Sequence, residues 1–443
     1  MLTILPLVAP FLTPNPTYFH LSTLSKTYHQ TTPLLPLPPT TILHSIKSNN
    51  NLDQTLHNLR LLNTGTFSTV RLLQHPLFQN IQLALKLLPK RLQIKLQNVQ
   101  QLRKEVTILK ALSNKTTTTS SGNDTSTHFL HLHPYISHIS TIHTPAHLAV
   151  VTNLARGGEL FTHVHHKHHR TRGPTVEEAT QGHSNALSSC PPEATKFYIA
   201  QLVLALEHLH TYSPHVAILH RDLRQENILV TENSYLKLCD FGNARWLKKN
   251  ARAKTLCGAP ESTAPEMFVP NAKTGATNHG TGVDWWALGV LSYELNVGWS
   301  PFYSENPMDI YGRILASATT LQYPDVAAIE SKTEQKTDVQ EEWNRAKDCT
   351  LNLLHRDETK RLGGRDGKTY GRDNIAVYNH PWFEDMNWDM LTNQTMVPPR
   401  GAFHPSHELA RNFELHGWTE EDPPGPLKGA KQKMIWNRWG ASI

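Results

Sequence analysis

The sequence predicts an α+β chain of two lobes, a small strand-rich lobe with one key helix and a larger helical lobe. Three observations carry this expectation. Strand-like runs concentrate before residue 154, the longest helical runs follow residue 190, and 443 residues exceed what one small core accommodates. Strands first and helices later describe an α+β body rather than an alternating one.

Residues 1–56 are rich in Thr, Pro, Asn and Leu and nearly uncharged, so a disordered tail is expected there. The body should cover 57–383, with the small lobe over about 57–154 and the large lobe over about 155–383. Leu59 to Leu73 alternates around Asn63-Thr64-Gly65-Thr66 and reads as a hairpin with its turn in that tetrapeptide. Ile81 to Leu88 reads as a strand, apolar around Lys86. Val99, Leu102, Val106 and Leu109 recur at helical spacing within 97–112. Ser113 to Thr127 reads as a loop insert and His147 to Leu154 as a strand. A polar, His-rich insert occupies 163–192. It clusters imidazoles that could bind metal, although a helix end running into a solvated insert is the simpler reading. Pro192 to His210 and Val283 to Val297 read as long helices, the first opened by Pro-Glu and the second by Asp284. Cys349 to Leu354 and Pro381-Trp382-Phe383 close the body. Residues 384–443 read as a tail. Trp436 and Trp439 could dock on the small lobe, but the composition favours a free end.

Bulk properties narrow the function classes. The formal net charge is +6, with no concentrated Lys/Arg block, so no nucleic-acid partner is expected. Four widely spaced cysteines form neither a metal pair nor a disulfide framework, which fits a reducing, intracellular setting, cytoplasmic or nuclear. The apolar start is broken by Pro6 and Pro10 and precedes the first cation, Lys26, so it is a poor secretory leader. No run is long enough to span a bilayer.

The chemistry concentrates in His220-Arg221-Asp222-Leu223-Arg224-Gln225-Glu226-Asn227 and in Asp240-Phe241-Gly242. An aspartate placed to accept a proton, followed by an asparagine and another aspartate able to hold a hard cation, suits phosphoryl transfer from a nucleotide. Lys86, a cation inside an apolar strand, needs an anionic partner, and Glu105 on the following helix is available. Gly65, in a hairpin turn, would let a phosphate approach the backbone.

Together these residues resemble a eukaryotic protein kinase over roughly 57–383. The order runs from the glycine-loop remnant through Lys86, Glu105, His220-Arg221-Asp222, Asn227 and Asp240-Phe241-Gly242 to Ala264-Pro265-Glu266. Thr255 to Glu261, Val283 to Val290 and His380 to Phe383 are similar to the AGC group, in particular to cyclic-AMP-dependent kinase catalytic subunits. The resemblance implies ATP and Mg²⁺ as cofactors. It makes Asp222 the base, Lys86 the holder of the α- and β-phosphates paired with Glu105, Arg224 the cation on the transferring phosphate, and Asn227 and Asp240 the metal ligands. Asn63, Gly65 and Ser68 would form the phosphate cover. Val70 and Ala84 would lie over the adenine, and Thr152, Asn153 and Ala155 would form the hinge with Thr152 as gatekeeper. Leu109, Ile139, His220 and Phe241 would stack as a spine, and Glu266 would pair with Arg361. Thr255 would be an activating phosphosite met by Arg221 and Arg245. Glu159 would border the nucleotide and, with Glu226 and Glu294, read arginine upstream of a target Ser/Thr. The implied partners are protein substrates with basic residues near the target, an upstream activating kinase and a regulatory subunit.

Several positions depart from that pattern. Asn63 and Ser68 replace loop glycines, Arg224 replaces a lysine, Gln225 replaces a proline, and Ala259 replaces a threonine linked to the catalytic aspartate. The rival expectation is a weakened or inactive kinase that acts as a binding scaffold.

Overall fold

The computed structural model describes residues 59–65, 67–74, 82–115, 134–166, 190–249, 251–271, 275–304, 306–321, 336–364, 377–405 and 429–439, with Leu56, Tyr323 and Leu427. The expected tail before Leu56, most of the insert after Ser113 and the His-rich insert beyond residue 166 lie outside the described residues. Two compact units are present. One takes the chain up to Val99, His138–Leu154 and the segment from Leu415; the other takes Gln100–Ser137 and Ala155–Glu414.

The smaller unit is built on a five-stranded antiparallel sheet of β1 (Leu61–Gly65), β2 (Ser68–Gln74), β3 (Gln82–Pro89), β4 (His138–His143) and β5 (His147–Asn153). Their order is β1-β2-β3-β5-β4. Side chains alternate along β3. Leu83, Leu85 and Leu87 pack with Leu73, Ile142, Ala149 and Val151 in an apolar core, while Ala84 and Lys86 take the opposite face. The hairpin turn falls later than expected. Asn63, Thr64 and Gly65 continue β1, and Gly65 pairs with Ser68, so the turn does not include them. A polar tripeptide signals a turn only when no neighbouring strand takes up its backbone groups, and β2 does so here. A short helix, α1 (Lys90–Lys95), follows β3 directly; six residues are too few to show a period in the sequence.

The larger unit is mainly helical: α2 (Val99–Lys115), α3 (Leu160–His166), α4 (Pro192–His210), α5 (Gly282–Val297), α6 (Pro307–Thr320), α7 (Lys336–Leu353) and α8 (Trp388–Thr392). Two small antiparallel pairs accompany them, β6 (Val216–Leu219) with β9 (Arg245–Lys248), and β7 (Ile228–Val230) with β8 (Leu236–Leu238). α5 carries apolar residues on every side and is buried almost throughout, and its acids Asp284 and Glu294 both find hydrogen-bond partners. Gly289 permits its approach to α7, because a Cβ there would lie 2.9 Å from Leu353 and Leu354. α7 is much longer than the six residues read from the sequence. Its buried residues Trp343, Ala346, Cys349 and Leu353 are helically spaced, but Asp338, Glu341 and Glu342 dilute the apolar signal of the first turns.

The C-terminal end is not free. Helix α9 (Ala430–Trp439) belongs to the smaller unit and packs on α1. Trp436 is 4% exposed. The Lys90 ammonium sits 4.9 Å from its ring centroid and the His143 ring 6.1 Å away. Buried indole area and a cation on its face hold the helix, which composition could not foretell. The side chain of Trp439 lies outside the described residues. Among the described residues no helix is long and apolar enough to cross a membrane.

Candidate active site

The larger unit carries the loop 220–227 between β6 and β7, and Asp284 in the first turn of α5 organises it. Asp284 is fully buried. Its Oδ2 accepts hydrogen bonds from the His220 amide (2.9 Å) and His210 Nε2 (2.8 Å), and its Oδ1 accepts from the Arg221 amide (2.7 Å). Burial alone would raise its pKa; the His210 hydrogen bond, the His210 and His220 charges and the Arg221 amide more than offset this and hold it below the usual value. Neither Asp284 nor His210 was assigned a site role from the sequence, because a buried acid 62 residues beyond Asp222 gives no local signal; only the fold brings it to the loop.

Asp284 helps hold Arg221 at φ 63°, a left-handed conformation unusual for arginine, and Asp240 is at φ 56°. The first of these immediately precedes the candidate base. Asp222 Oδ2 accepts from Asn243 Nδ2 at 3.1 Å, while Oδ1 has no hydrogen-bond partner. Asn227 Nδ2 donates to the Asp222 carbonyl at 2.8 Å, which fixes the orientation of its amide. Asp240 is exposed, and its Oδ1 accepts from the Gly242 amide at 3.1 Å. A carboxylate and an amide oxygen are hard donors of the kind Mg²⁺ takes. Glu105 is 7% exposed on α2, and a Cβ on Gly242 would lie 3.8 Å from its Oε2.

The activation-type segment meets this loop at Gly258. Its φ is +88°, and a Cβ there would lie 2.5 Å from the Arg221 carbonyl oxygen and 3.5 Å from Asp222 Oδ1. No other residue type fits without displacing the loop. At Ala259 the backbone oxygen accepts from Thr263 Oγ1 (2.8 Å) and Ser262 Oγ (3.3 Å). Thr255 is exposed, and Arg245 Nη1 lies 3.5 Å from its Oγ1. Arg221 donates from Nε to the Asn243 carbonyl, and its Nη1 is buried without a partner.

The three acids expected to read arginine behave differently. Glu226 is forked by Arg224, with Nε to Oε2 at 2.8 Å and Nη2 on Oε1. That hydrogen bond, above all, raises the Arg224 pKa. Arg224 therefore faces Glu226 rather than an open phosphate position. Glu294 accepts from Gln225 Nε2 at 2.8 Å. Burial pushes its pKa up to about 8, with the Gln225 bond opposing and Glu226 and Glu261 reinforcing. Glu159 bridges to Leu229 through the backbone, away from this pair in the chain. Ala155 is buried.

In the smaller unit, sheet register gathers several candidates on one face. Val70 pairs with Lys86 and Lys86 with Val150, while Thr152 lies opposite Ala84. Directly paired residues share a face, so Val70, Ala84, Lys86 and Thr152 stand together. Asn153 pairs with Leu83 and takes the other face, so only its main chain could serve a ligand at Lys86. Gly65 has ordinary space around a Cβ, and Asn63 Oδ1 accepts from the Thr64 amide at 2.6 Å. Gln93, which the sequence did not single out, is 2% exposed and donates to the Phe67 carbonyl at 3.0 Å, bracing the hairpin tip. Of the expected spine, Ile139 packs on the smaller unit's core, while Leu109, His220 and Phe241 lie in the larger unit, with the last two rings 5.1 Å apart edge to face. The Glu266–Arg361 pair is present, with contacts of 2.6 and 2.9 Å.

A strand-borne lysine in a five-stranded unit and an Asp–Asn–Asp series in a helical unit, in this chain order, define a kinase-type fold. The protein kinase domain model matches residues 56–383, and the chain belongs to that family. It is 31% identical over 373 residues to a cAMP-dependent protein kinase catalytic subunit of Dictyostelium discoideum, covering 83% of this chain and 46% of that protein. It is 32% identical over 358 residues to the serine/threonine-protein kinase SCH9 of Saccharomyces cerevisiae, covering 80% and 35%. It is 34% identical over 284 residues to the serine/threonine-protein kinase gad8 of Schizosaccharomyces pombe, covering 63% and 40%. The matched region thus spans less than half the length of each of these relatives, which agree with the AGC-type resemblance of the sequence.

Proposed function

We propose that this chain is an ATP-dependent protein serine/threonine kinase that favours targets preceded by arginine. The observation that carries the reading is the Asp222 carboxylate, held by Asn243 at one oxygen and buried without a hydrogen-bond partner at the other, on a loop anchored by buried Asp284. Asp222 Oδ1 accepts the proton of the substrate hydroxyl as its oxygen bonds to the γ-phosphorus. The bond to the β–γ bridging oxygen breaks, and ADP leaves. Lys86 holds the α- and β-phosphates. Val70, Ala84 and Thr152 contact the adenine, and the main chain of Asn153 and Ala155 supplies the hinge. Asn227 and Asp240 are the residues that would hold Mg²⁺, which supplies charge neutralisation on the phosphates.

Phosphorylation of Thr255 completes the reading. A phosphate there adds about two negative charges beside Arg245. The relatives named as catalytic subunits motivate a search for a regulatory partner. Purified chain should phosphorylate Arg-containing peptides with Mg²⁺ and ATP, and Asp222→Ala should remove this while leaving nucleotide binding. Turnover surviving that substitution sinks the assignment. Asn63, Ser68 and Ala259 motivate the alternative, a scaffold that binds nucleotide without turnover. A thermal shift with ATP and no phosphotransfer, with or without phosphate on Thr255, would favour it.

A further inference from the structure

We infer that Arg252 and Glu358 are positioning residues that hold the activation-type segment in place before any phosphate reaches Thr255, so that the chain turns over with the segment unmodified. The inference rests on the kinase reading above and concerns the regulation of that same site. Arg252 stands three residues ahead of Thr255. Its guanidinium forks Glu358, with Nη1 to Oε1 at 2.8 Å and Nη2 to Oε2 at 2.5 Å. Its Nε also donates to Asn278 Oδ1 (3.1 Å), and its Nη2 to the Asn278 carbonyl (3.2 Å). The two charged side chains are 33% and 15% exposed. A bidentate, partly buried pair within a larger hydrogen-bond set holds its geometry, unlike a single solvated contact. The main chain adds to it. Ala253 and His279 exchange backbone hydrogen bonds of 2.8 and 2.9 Å, and Ala253 is fully buried in a cluster with Met267, Val283 and Trp286. Gly280 and Gly282 permit the close approach, because a Cβ would lie 3.0 Å from Arg252 Nη1 at the first and 2.8 Å from Glu358 Cγ at the second.

Glu358 shares a turn with Arg361, the partner of Glu266. Asp357 closes that turn. Its carbonyl accepts from the Lys360 and Arg361 amides, and its Oδ1 accepts from the Thr359 amide and hydroxyl. One turn thus presents an acid and a base three residues apart, and they take Arg252 and Glu266, which bracket Thr255, Gly258 and Ala259 in the chain. With both ends fixed to the same support, the short stretch between them has little conformational entropy left to lose. The Thr255 hydroxyl, by contrast, meets Arg245 Nη1 only at 3.5 Å, the limit of a hydrogen bond, and both residues are exposed. A phosphate there strengthens that contact, but the segment it would otherwise order is already placed. Arg252 and Glu358 lie 106 residues apart, so no local pattern pairs them.

The test compares the full chain after phosphatase treatment with the full chain carrying phosphoserine installed at position 255, both assayed on one peptide with Mg²⁺ and ATP. In the wild type the phosphate should raise kcat by no more than about three-fold. In Arg252→Met and in Glu358→Gln that gain should grow by about ten-fold, the scale of one lost charge-assisted hydrogen bond, through a fall in the unphosphorylated form. The double variant should match the singles, because each removes the same pair. Arg252→Lys, which keeps the charge and loses the fork, should fall between. A large gain in the wild type, or an equal gain in wild type and variants, overturns the inference. A second readout needs no turnover. In the phosphatase-treated chain the 251–259 amides should exchange slowly with solvent in the wild type and fast in Glu358→Gln, with α5 unchanged. Exchange that is the same in both, or that rises equally in α5, overturns the inference, the latter because the pair would then support the whole unit. If the exchange difference holds while no form phosphorylates the peptide, the clamp stands and the kinase reading falls.

Discussion

Asp284 shows how much a single side chain decides. Its two oxygens hold three donors from two distant segments in a site with no solvent, so Asp284→Ala strands two backbone amides and an imidazole. Removing one partner of such a buried charged network costs about 3–5 kcal/mol. The urea midpoint of Asp284→Ala should fall accordingly, and its phosphotransfer should be lost; a midpoint near wild type would contradict the anchoring role. Glu294 gives a pH signature. With its pKa at about 8 it is largely protonated at neutral pH, held by Gln225 and facing Glu226, Glu261 and Arg224. An incoming guanidinium favours the carboxylate, so binding releases a proton. Affinity for arginine peptides should then rise from pH 6.5 to about 8 and level off above it. KM measured across that range should follow this curve, and Glu294→Gln should flatten it.

Among the elements, α9 and the 258–259 segment carry the clearest consequences. Trp436 fills space between Lys90 and His143, so truncation leaves a cavity. Trp436→Ala should cost about 3–5 kcal/mol of docking and expose the 430–439 amides to hydrogen exchange, with Trp436→Phe recovering part of the protection. Equal exchange in wild type and Trp436→Ala would show that the indole does not hold the helix. Gly258→Ala drives a Cβ into the Arg221 carbonyl 2.5 Å away. It should cut kcat by about a hundred-fold, on the scale of a 1 Å misplacement of catalytic groups, with little change in ATP affinity measured by a fluorescent nucleotide.

Across the whole molecule, long-range pairs tie chain segments that the sequence separates. Arg361 is 1% exposed and forks Glu266, 95 residues earlier. Arg361→Met should destabilise the larger unit by about 3–5 kcal/mol, because Glu266 loses its partner; a thermal melt of that variant checks this. Local pattern was legible wherever side-chain period and element length agreed. Helix α4 over Pro192–His210 matched its residue bounds, and Lys86 stood out as a charge in an apolar strand. The hairpin turn, the first half of α7 and the docking of α9 were not legible. In the hairpin the adjacent strand takes up the backbone groups of polar residues, in α7 polar residues mask the apolar period, and in α9 the partner surface is distant in the chain. By itself the sequence determined the kinase-type order of residues and the two-part division into strands and helices, because period and motif spacing are properties of neighbouring residues. Only the tertiary structure decided that Asp284 anchors the loop, that Arg224 rests on Glu226 and that Gln225 caps Glu294. Those contacts depend on how the folded backbone directs each side chain, which residue order alone does not show.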